Sequence, residues 1–344
     1  FNYNIFELNI DLTLDGLNNI NQIVSVVYNY VKILKSHEDW SSFFEEFKQI
    51  NEISFNYSDK QEAETYSVDL CNSLQHYDVE DLLFGRYKYE KFDYQHFKGI
   101  LDLIKPDNMV TFVIRNETND KRKNLKEKYY GTEYHQIESP VVTDIPYLPL
   151  QLPPKNIYIP NDLTLKNNVN SEEPKQILGK NLGIRLWNCF NNKFKIPKAL
   201  YWIQIISPMF YKTAEDEILT HLIIKLWDDH LNPLLYNSSL VNYYYHITND
   251  VMKNSINVLC TGFNNKLNNV LNTILENITN FEGEIEEIKF SMAKEKLKQN
   301  LENIRMSSPW NMLTYHMKDK WIKSFRSFDK LLDKIDLITI DDLK

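Results

Sequence analysis

The chain opens on an alternation. Phe6, Leu8, Ile10 and Leu12 are separated by Glu7, Asn9 and Asp11, the period of two that predicts a half-buried strand. A chain that starts inside a strand and without methionine reads as a piece of a longer protein. From about Asp15 to Lys35 the period lengthens. Ile20, Ile23, Val24, Val27, Val31 and Leu34 form one helical stripe, with Thr13 placed to cap its N-terminus. A second helix is predicted from Trp40 to Ile53, with Phe43, Phe44, Phe47 and Ile50 on one face. Shorter helical patterns cover Gln61 to Leu74 and Val79 to Phe84. Another begins after Asp93, carries Phe97, Ile100, Leu101 and Ile104, and must end before Pro106. Met109 to Ile114 (MVTFVI) is then a β-branched and aromatic run that predicts a buried strand. Strand, several helices, strand is the order of an α+β domain rather than of a βαβ repeat.

Between Pro140 and Pro174 the periodicity stops, and seven of the chain's 12 prolines fall there. Prolines at that density hold a chain extended and moderately stiff, which predicts a linker between two units. Beyond it, Ala199 to Ile206 (ALYWIQII) reads as a strand ended by Ser207 and Pro208. A helix is predicted from Ala214 to Leu231, with Ile218, Leu219, Leu222, Ile223 and Leu226 inward. Strands follow at Tyr243 to Thr248 and Asn257 to Thr261. Three further helices are expected: Asn264 to Ile278, Gly283 to Arg305, and Trp321 to Ile335. The second unit thus repeats the strand-then-helices logic of the first, and the chain stops before its last strand.

Composition narrows the classes. At 344 residues two units are the prior, and 43% apolar with 25% charged residues is a globular balance. A formal charge of −8 and a pI near 5.6 argue against a nucleic-acid binder, which would show a basic face. No run of 18 apolar residues is present to span a membrane. Cys71, Cys189 and Cys260 are too few and too far apart for a disulfide framework or a zinc cluster, which favours a reducing compartment. They sit in apolar stretches and are expected to be buried packing groups. Only 8 glycines are present, and no phosphate-cradling G-x-G-x-x-G or G-x-x-x-x-G-K-[ST] is found.

Zinc peptidases place two histidines one helical turn apart with a glutamate between them. Four residues after each of His37, His76, His96, His135, His221, His230, His246 and His316 stands a residue other than histidine, so neither H-E-x-x-H nor H-x-x-E-H occurs. Asp228-Asp229-His230 is the nearest to a metal cluster. Adjacent helical side chains diverge by about 100°, and His230 is better read as a satisfied core histidine. His37-Glu38-Asp39 suits the cap and first turn of the Trp40 helix. No G-x-S-x-G supports a serine nucleophile. The sequons at Asn56, Asn116, Asn237 and Asn277 are what an asparagine-rich chain gives by chance. The 21 Tyr, 18 Phe and 6 Trp serve core packing on the plain reading, or a surface that grips extended peptides on the other.

At Tyr129-Tyr130-Gly131-Thr132-Glu133-Tyr134 the chain resembles the insulin-degrading enzyme (insulysin) branch of the pitrilysin-like zinc metallopeptidases. That family carries a W-Y-G-T-x-Y-like motif there, and Tyr129 departs from it by replacing the tryptophan. Leu152 to Leu163 (LPPKNIYIPNDL) resembles the family's L-P-x-K-N-x-F-I-P-T-x-F segment. Leu186-Trp187, Phe194-Lys195-Ile196-Pro197-Lys198-Ala199 and Ser207-Pro208 match in the family's order. So do Asn9-Ile10-Asp11-Leu12-Thr13 with Gly16-Leu17, and Leu103 to Met109 (LIKPDNM). The likeness runs over essentially the whole chain.

That resemblance implies four homologous α+β domains, paired as two halves that close like a clamshell around a chamber. The zinc site, H-x-x-E-H with a distal glutamate, would lie in the first domain, and substrate-grasping Arg and Tyr residues in the fourth. This chain would hold the later part of the second domain (1–139), the proline-rich inter-half linker (140–175) and most of the third domain (176–344). Each domain would be an antiparallel sheet covered by helices, and both would be incomplete. No catalytic, cofactor-binding or metal-ligating residue of the family has a matching position, so none is assigned here. Zinc is expected in the parent protein and not in this chain. The chain is then expected to be a non-catalytic middle part of a zinc metalloendopeptidase, supplying hinge linker and chamber wall. The alternative is a degenerate member that binds peptides or assembles without hydrolysis. An unrelated helical scaffold would have to treat the ordered motif matches as coincidence. Expected partners are peptides reached through the parent, the remaining domains of the same protein and a second copy of the chain, with no nucleic acid and no membrane. The cytoplasm is the favoured compartment.

Overall fold

The computed structural model describes residues 5–115, 125–145, 149–165, 173–178, 183–190, 193, 195–281 and 285–343. Its elements in chain order begin with helices α1 (Leu14–Asn18), α2 (Ile20–Ser36), α3 (Ser41–Asn56), α4 (Ala63–Ser73) and α5 (Tyr94–Leu103). Strands β1 (Leu125–Lys126), β2 (Glu133–Tyr134), β3 (Lys175–Leu178), β4 (Arg185–Asn188) and β5 (Lys198–Ile206) follow. Then come α6 (Ala214–Ser239), β6 (Tyr244–Asp250), β7 (Ser255–Phe263), α7 (Asn264–Thr279), α8 (Glu287–Ile304), α9 (Pro309–Trp321) and α10 (Phe328–Ile335). The expected α+β class is what is found. Two compact units interleave along the chain: Phe1–Glu45 with Tyr89–Lys155, and Glu46–Lys88 with Asn156–Lys344.

The second unit is built on an antiparallel sheet in the order β5-β7-β6. Trp202 faces Leu259 and Ile203 faces Val258 on one side of β7, while His246 and Ile247 face the same two residues on the other. Ile256, Val258 and Cys260 of β7 are buried and the residues between them are half-buried, so the sheet has a core face. Leu231, Leu235, Leu267, Val270 and Ile274 from α6 and α7 complete that core. The Tyr243 ring is also there. It lies so close over Gly262 that a Cβ at that glycine would come within 2.2 Å of the ring. A second core joins α6 to α8 and α10 through Ile218, Leu222, Phe290, Leu301, Leu331 and Ile335. Arg326 closes the end of α6. It pairs with the buried Glu217 at 3.0 Å and donates to the carbonyls of Tyr211 and Lys212 at 3.0 and 2.8 Å. Burial lifts the Glu217 carboxyl above its ordinary value, and the Arg326 guanidinium opposes that rise.

Prediction and structure differ here in several places. Helix α6 continues through Pro233 to Ser239, eight residues past the expected end at Leu231. Leu235 and Ser238 are buried beyond the proline, and that tertiary packing outweighs the lost backbone hydrogen bond. The helix expected from Trp321 to Ile335 starts only at Phe328, as α10, and α9 (Pro309–Trp321) was not expected. Helix α8 begins at Glu287, and the expected start at Gly283 lies outside the described residues. Cys260 is buried, its thiol pushed up to about 11 by desolvation, whereas Cys71 and Cys189 are exposed and are not the packing groups expected.

The first unit is thinner. Among the described residues, Tyr28 and Val31 of α2 and Leu101 of α5 are its buried apolar residues. Beside them lies an aromatic cluster in which Trp40 meets Phe97 with ring centroids 5.1 Å apart and Phe44 meets Phe92 at 5.4 Å. Thr13 does cap a helix, accepting from the Gly16 N–H at 3.1 Å, although the predicted long helix is broken at Asn19 into α1 and α2. Asp93 caps α5 through the His96 N–H at 2.9 Å. The two predicted strands are not formed. Residues 6–12 and Met109–Ile114 have no ladder partner among the described residues, and Phe112 is 83% exposed. An apolar alternation states which face could be buried, but a strand needs a neighbour to take its backbone hydrogen bonds. Residues 79–84, in the second unit, form turns leading to a short 3-10 segment at Gly85–Tyr87 rather than the expected helix, and the Gly85 N–H is held by the Asp81 carbonyl at 2.6 Å.

Candidate functional site

The proline-rich connection carries the sequence's strongest functional expectation, and its two ends are held by different means. Residues 141–145 run extended along α2 in the first unit. The Val141 N–H donates to Asn21 Oδ1 at 3.3 Å, that of Thr143 to Ser25 Oγ at 3.0 Å, and that of Ile145 to Asn29 Oδ1 at 3.5 Å. Asn29 Nδ2 returns a hydrogen bond to the Thr143 carbonyl at 3.0 Å, and Lys32 pairs with Asp144. Ser25 is buried, its hydroxyl donating to the Asn21 carbonyl at 2.6 Å.

The other end is built into the second unit. Asn156 is buried. Its N–H meets the Glu46 carboxylate at 3.3 Å, its Nδ2 donates to the Asn237 carbonyl at 2.7 Å, and its Oδ1 accepts from the Tyr158 N–H at 3.0 Å. Tyr158 then enters the core beside Leu231 and Val258, with Ile159 and Leu163 packed against the same cluster. The Asn161 N–H donates to Asn265 Oδ1 of α7 at 3.1 Å. The prolines alone signalled a stiff connection; nothing in the sequence pairs Asn156 with Asn237 or Asn21 with Val141.

The tyrosine motif forms a tight turn between β1 and β2, whose two strands pair in antiparallel register. The Glu127 carboxylate accepts the N–H groups of Tyr129 and Tyr130 at 2.7 and 2.6 Å, which holds its carboxyl below the ordinary range. Gly131 takes φ +70°, a conformation that favours glycine and explains it in the motif. Tyr129 and Tyr130 project into solvent, and Lys128 Nζ lies 5.5 Å from the Tyr129 ring. In the second unit, Leu200, Trp202 and Tyr244 leave one sheet face apolar and exposed, and the β3–β4 hairpin exposes Ile177, Leu186 and Trp187. Phe194 of the neighbouring motif lies outside the described residues, as do the sequon at Asn116 and any strand at or before Phe1.

Metal chemistry has no centre among the described residues, where no three His, Cys, Asp or Glu side chains converge. His230 Nε2 lies 3.0 Å from Asn277 Oδ1 and its ring packs edge-on against Phe281, the satisfied histidine that the sequence suggested. Asp229 pairs with Lys225 at 2.7 Å. Asp39 accepts from the Ser41 N–H at 3.0 Å at the start of α3, and the His37 ring packs on Trp40. No described helix is long and apolar enough to cross a membrane.

Comparison with known proteins places these features. The profile of the middle or third domain of peptidase M16 matches residues 55–332. The chain is 27% identical over 346 residues to the insulin-degrading enzyme of Homo sapiens, covering 98% of this chain and 34% of that protein. It is 27% identical over 320 residues to the peroxisomal insulin-degrading enzyme-like 1 of Arabidopsis thaliana, covering 91% of this chain and 32% of that one. It is 28% identical over 311 residues to the nardilysin of Mus musculus, covering 88% and 26%. The fold resembles the crystal structure of pitrilysin with a TM-score of 0.66 at 19% identity, over 96% of this chain and 35% of that one. The chain therefore spans about a quarter to a third of the length of these relatives. The likeness to insulysin and nardilysin runs through both units and the connection between them, and by the match over 55–332 the chain belongs to the M16 peptidase family, as its insulysin-like middle region.

Proposed function

We propose that this chain is the non-catalytic middle of an insulysin-like zinc metalloendopeptidase, in which it supplies the inter-half hinge and part of the wall of a closed peptide-degrading chamber. The observation that carries this is the likeness to insulin-degrading enzyme across 98% of the chain, through a connection whose two ends are each tied to folded structure. On this reading residues 1–139 belong to the second of four domains, 140–175 to the linker and 176–344 to the third. The exposed apolar sheet face of Leu200, Trp202 and Tyr244 suits a surface turned toward enclosed peptides.

Zinc is implied by the family, and the residues present do not fit it. None of the eight histidines has another four positions on, and no donor trio converges among the described residues. No step of hydrolysis is therefore assigned to these side chains. Their contribution is mechanical. Opening of such a chamber lets substrate in and product out, and steps of that kind often limit turnover. Peptides, the remaining domains of the same protein and a second copy are the proposed partners, and the cytoplasm is the proposed compartment.

A second reading, a degenerate member that binds peptides without cutting them, is favoured by Tyr129 standing where the family has tryptophan. Reading the transcript upstream of Phe1 separates the two. An intact H-x-x-E-H with a more distant glutamate supports the peptidase, and a first domain with that motif broken supports the binding subunit.

A further inference from the structure

We propose that Asn21, Ser25 and Asn29 form a latch that holds residues 141–145 on α2 as a partner strand would, so that the start of the proline-rich connection is fixed to α2 as far as Ile145. The geometry rests on a match of two repeats. Four residues along a helix advance about 6.0 Å, and two residues along an extended chain advance about 6.6 Å. Side chains at positions i, i+4 and i+8 of α2 can therefore meet alternate backbone N–H groups of the extended segment. The contacts follow that rule: Asn21 to Val141, Ser25 to Thr143 and Asn29 to Ile145.

Each member has a distinct duty. The Ser25 hydroxyl spends its one proton on the Asn21 carbonyl at 2.6 Å, which leaves its oxygen to accept from Thr143. Asn29 acts on both sides, accepting from Ile145 and donating through Nδ2 to the carbonyls of Ser25 at 2.7 Å and Thr143 at 3.0 Å. Lys32, one turn further along, holds Asp144 by charge. The fastening is polar and partly buried, made of side-chain hydrogen bonds and one exposed ion pair. The far end is held by apolar burial instead, with Tyr158 among Leu231 and Val258.

The test is amide hydrogen exchange of this chain, read residue by residue, for the wild type and for the Asn21→Ala/Asn29→Ala variant. In the wild type Val141, Thr143 and Ile145 are expected to exchange at least about tenfold more slowly than Val142 and Asp144. In the variant that contrast collapses, while the amides of β7 keep their protection. Asn29→Asp, which retains the acceptor and loses the donor, should fall between. Equal exchange at odd and even positions in the wild type, or full protection in the double variant, overturns the latch. If the variant does not fold, the wild-type pattern decides alone. The consequence for turnover rests on the hinge reading. Loss of protection in this chain with unchanged peptide turnover by the full-length protein carrying the same changes would keep the latch and sink the hinge.

Discussion

Two stretches of similar sequence had opposite outcomes. Met109–Ile114 and Ala199–Ile206 are both β-branched and aromatic runs, yet only the second is a strand. It has β7 beside it in nine registered pairs, from Lys198 opposite Phe263 to Ile206 opposite Ser255. The first has no ladder partner among the described residues, and Phe112 and Ile114 face solvent. The same contrast separates the two units. The second holds fully buried Ile218, Leu222, Val270, Ile274 and Ile335, while the first closes around Tyr28, Val31 and Leu101. Local pattern records a capacity, and a neighbour with matching register turns it into structure.

If stability is concentrated in the second unit, substitutions there should dominate. Arg326→Ala leaves Glu217 buried beside an absent partner and is expected to cost about 3–5 kcal/mol, read as a lowered urea midpoint of the second unit. A midpoint unchanged after that substitution would mean the ion pair is not the clasp at the end of α6. Gly262→Ala drives a methyl into the Tyr243 ring, and about 1–3 kcal/mol of overpacking cost is expected in the same assay. By contrast, Phe112→Ser in the first unit should move the midpoint by less than about 0.5 kcal/mol, because the side chain is already in water. A large loss there would mean that Phe112 is buried in solution and would erase the distinction drawn between the two runs.

The smallest expected effect lies at the tyrosine turn. The Glu127 carboxyl is held below its ordinary value of 4.5 by the N–H groups of Tyr130 and Tyr129, so its contribution to the turn is complete above 4.5. That contribution is lost as pH falls below 4.5 through the folded value. The amide resonances of Tyr129 and Tyr130 should shift together over that window, and Glu127→Gln should abolish the titration while leaving the β7 resonances in place.

In the second unit α7, β6 and β7 were legible in the sequence, because each carries one dominant period that matches the face it buries, whereas α9 and the β3–β4 pair were not foreseen. Helix α6 was legible only to Leu231, since burial of Leu235 and Ser238 beyond Pro233 is a tertiary fact. The first unit was legible as helices and illegible as strands, because strand formation depends on a partner that no local window contains. Of the candidate site, the family motifs and the proline density were visible. The latch of Asn21, Ser25 and Asn29 was not, because asparagines and serines at a spacing of four on a helix look like an ordinary solvated face until an extended segment is laid along them.

The most direct test of the central claim is the zinc content of this chain, purified alone, together with its activity on a peptide substrate. The account predicts substoichiometric zinc and no cleavage above background. One zinc per chain with chelator-sensitive hydrolysis would contradict it, and would mean that these residues assemble a metal centre that neither their spacing nor their described positions provides.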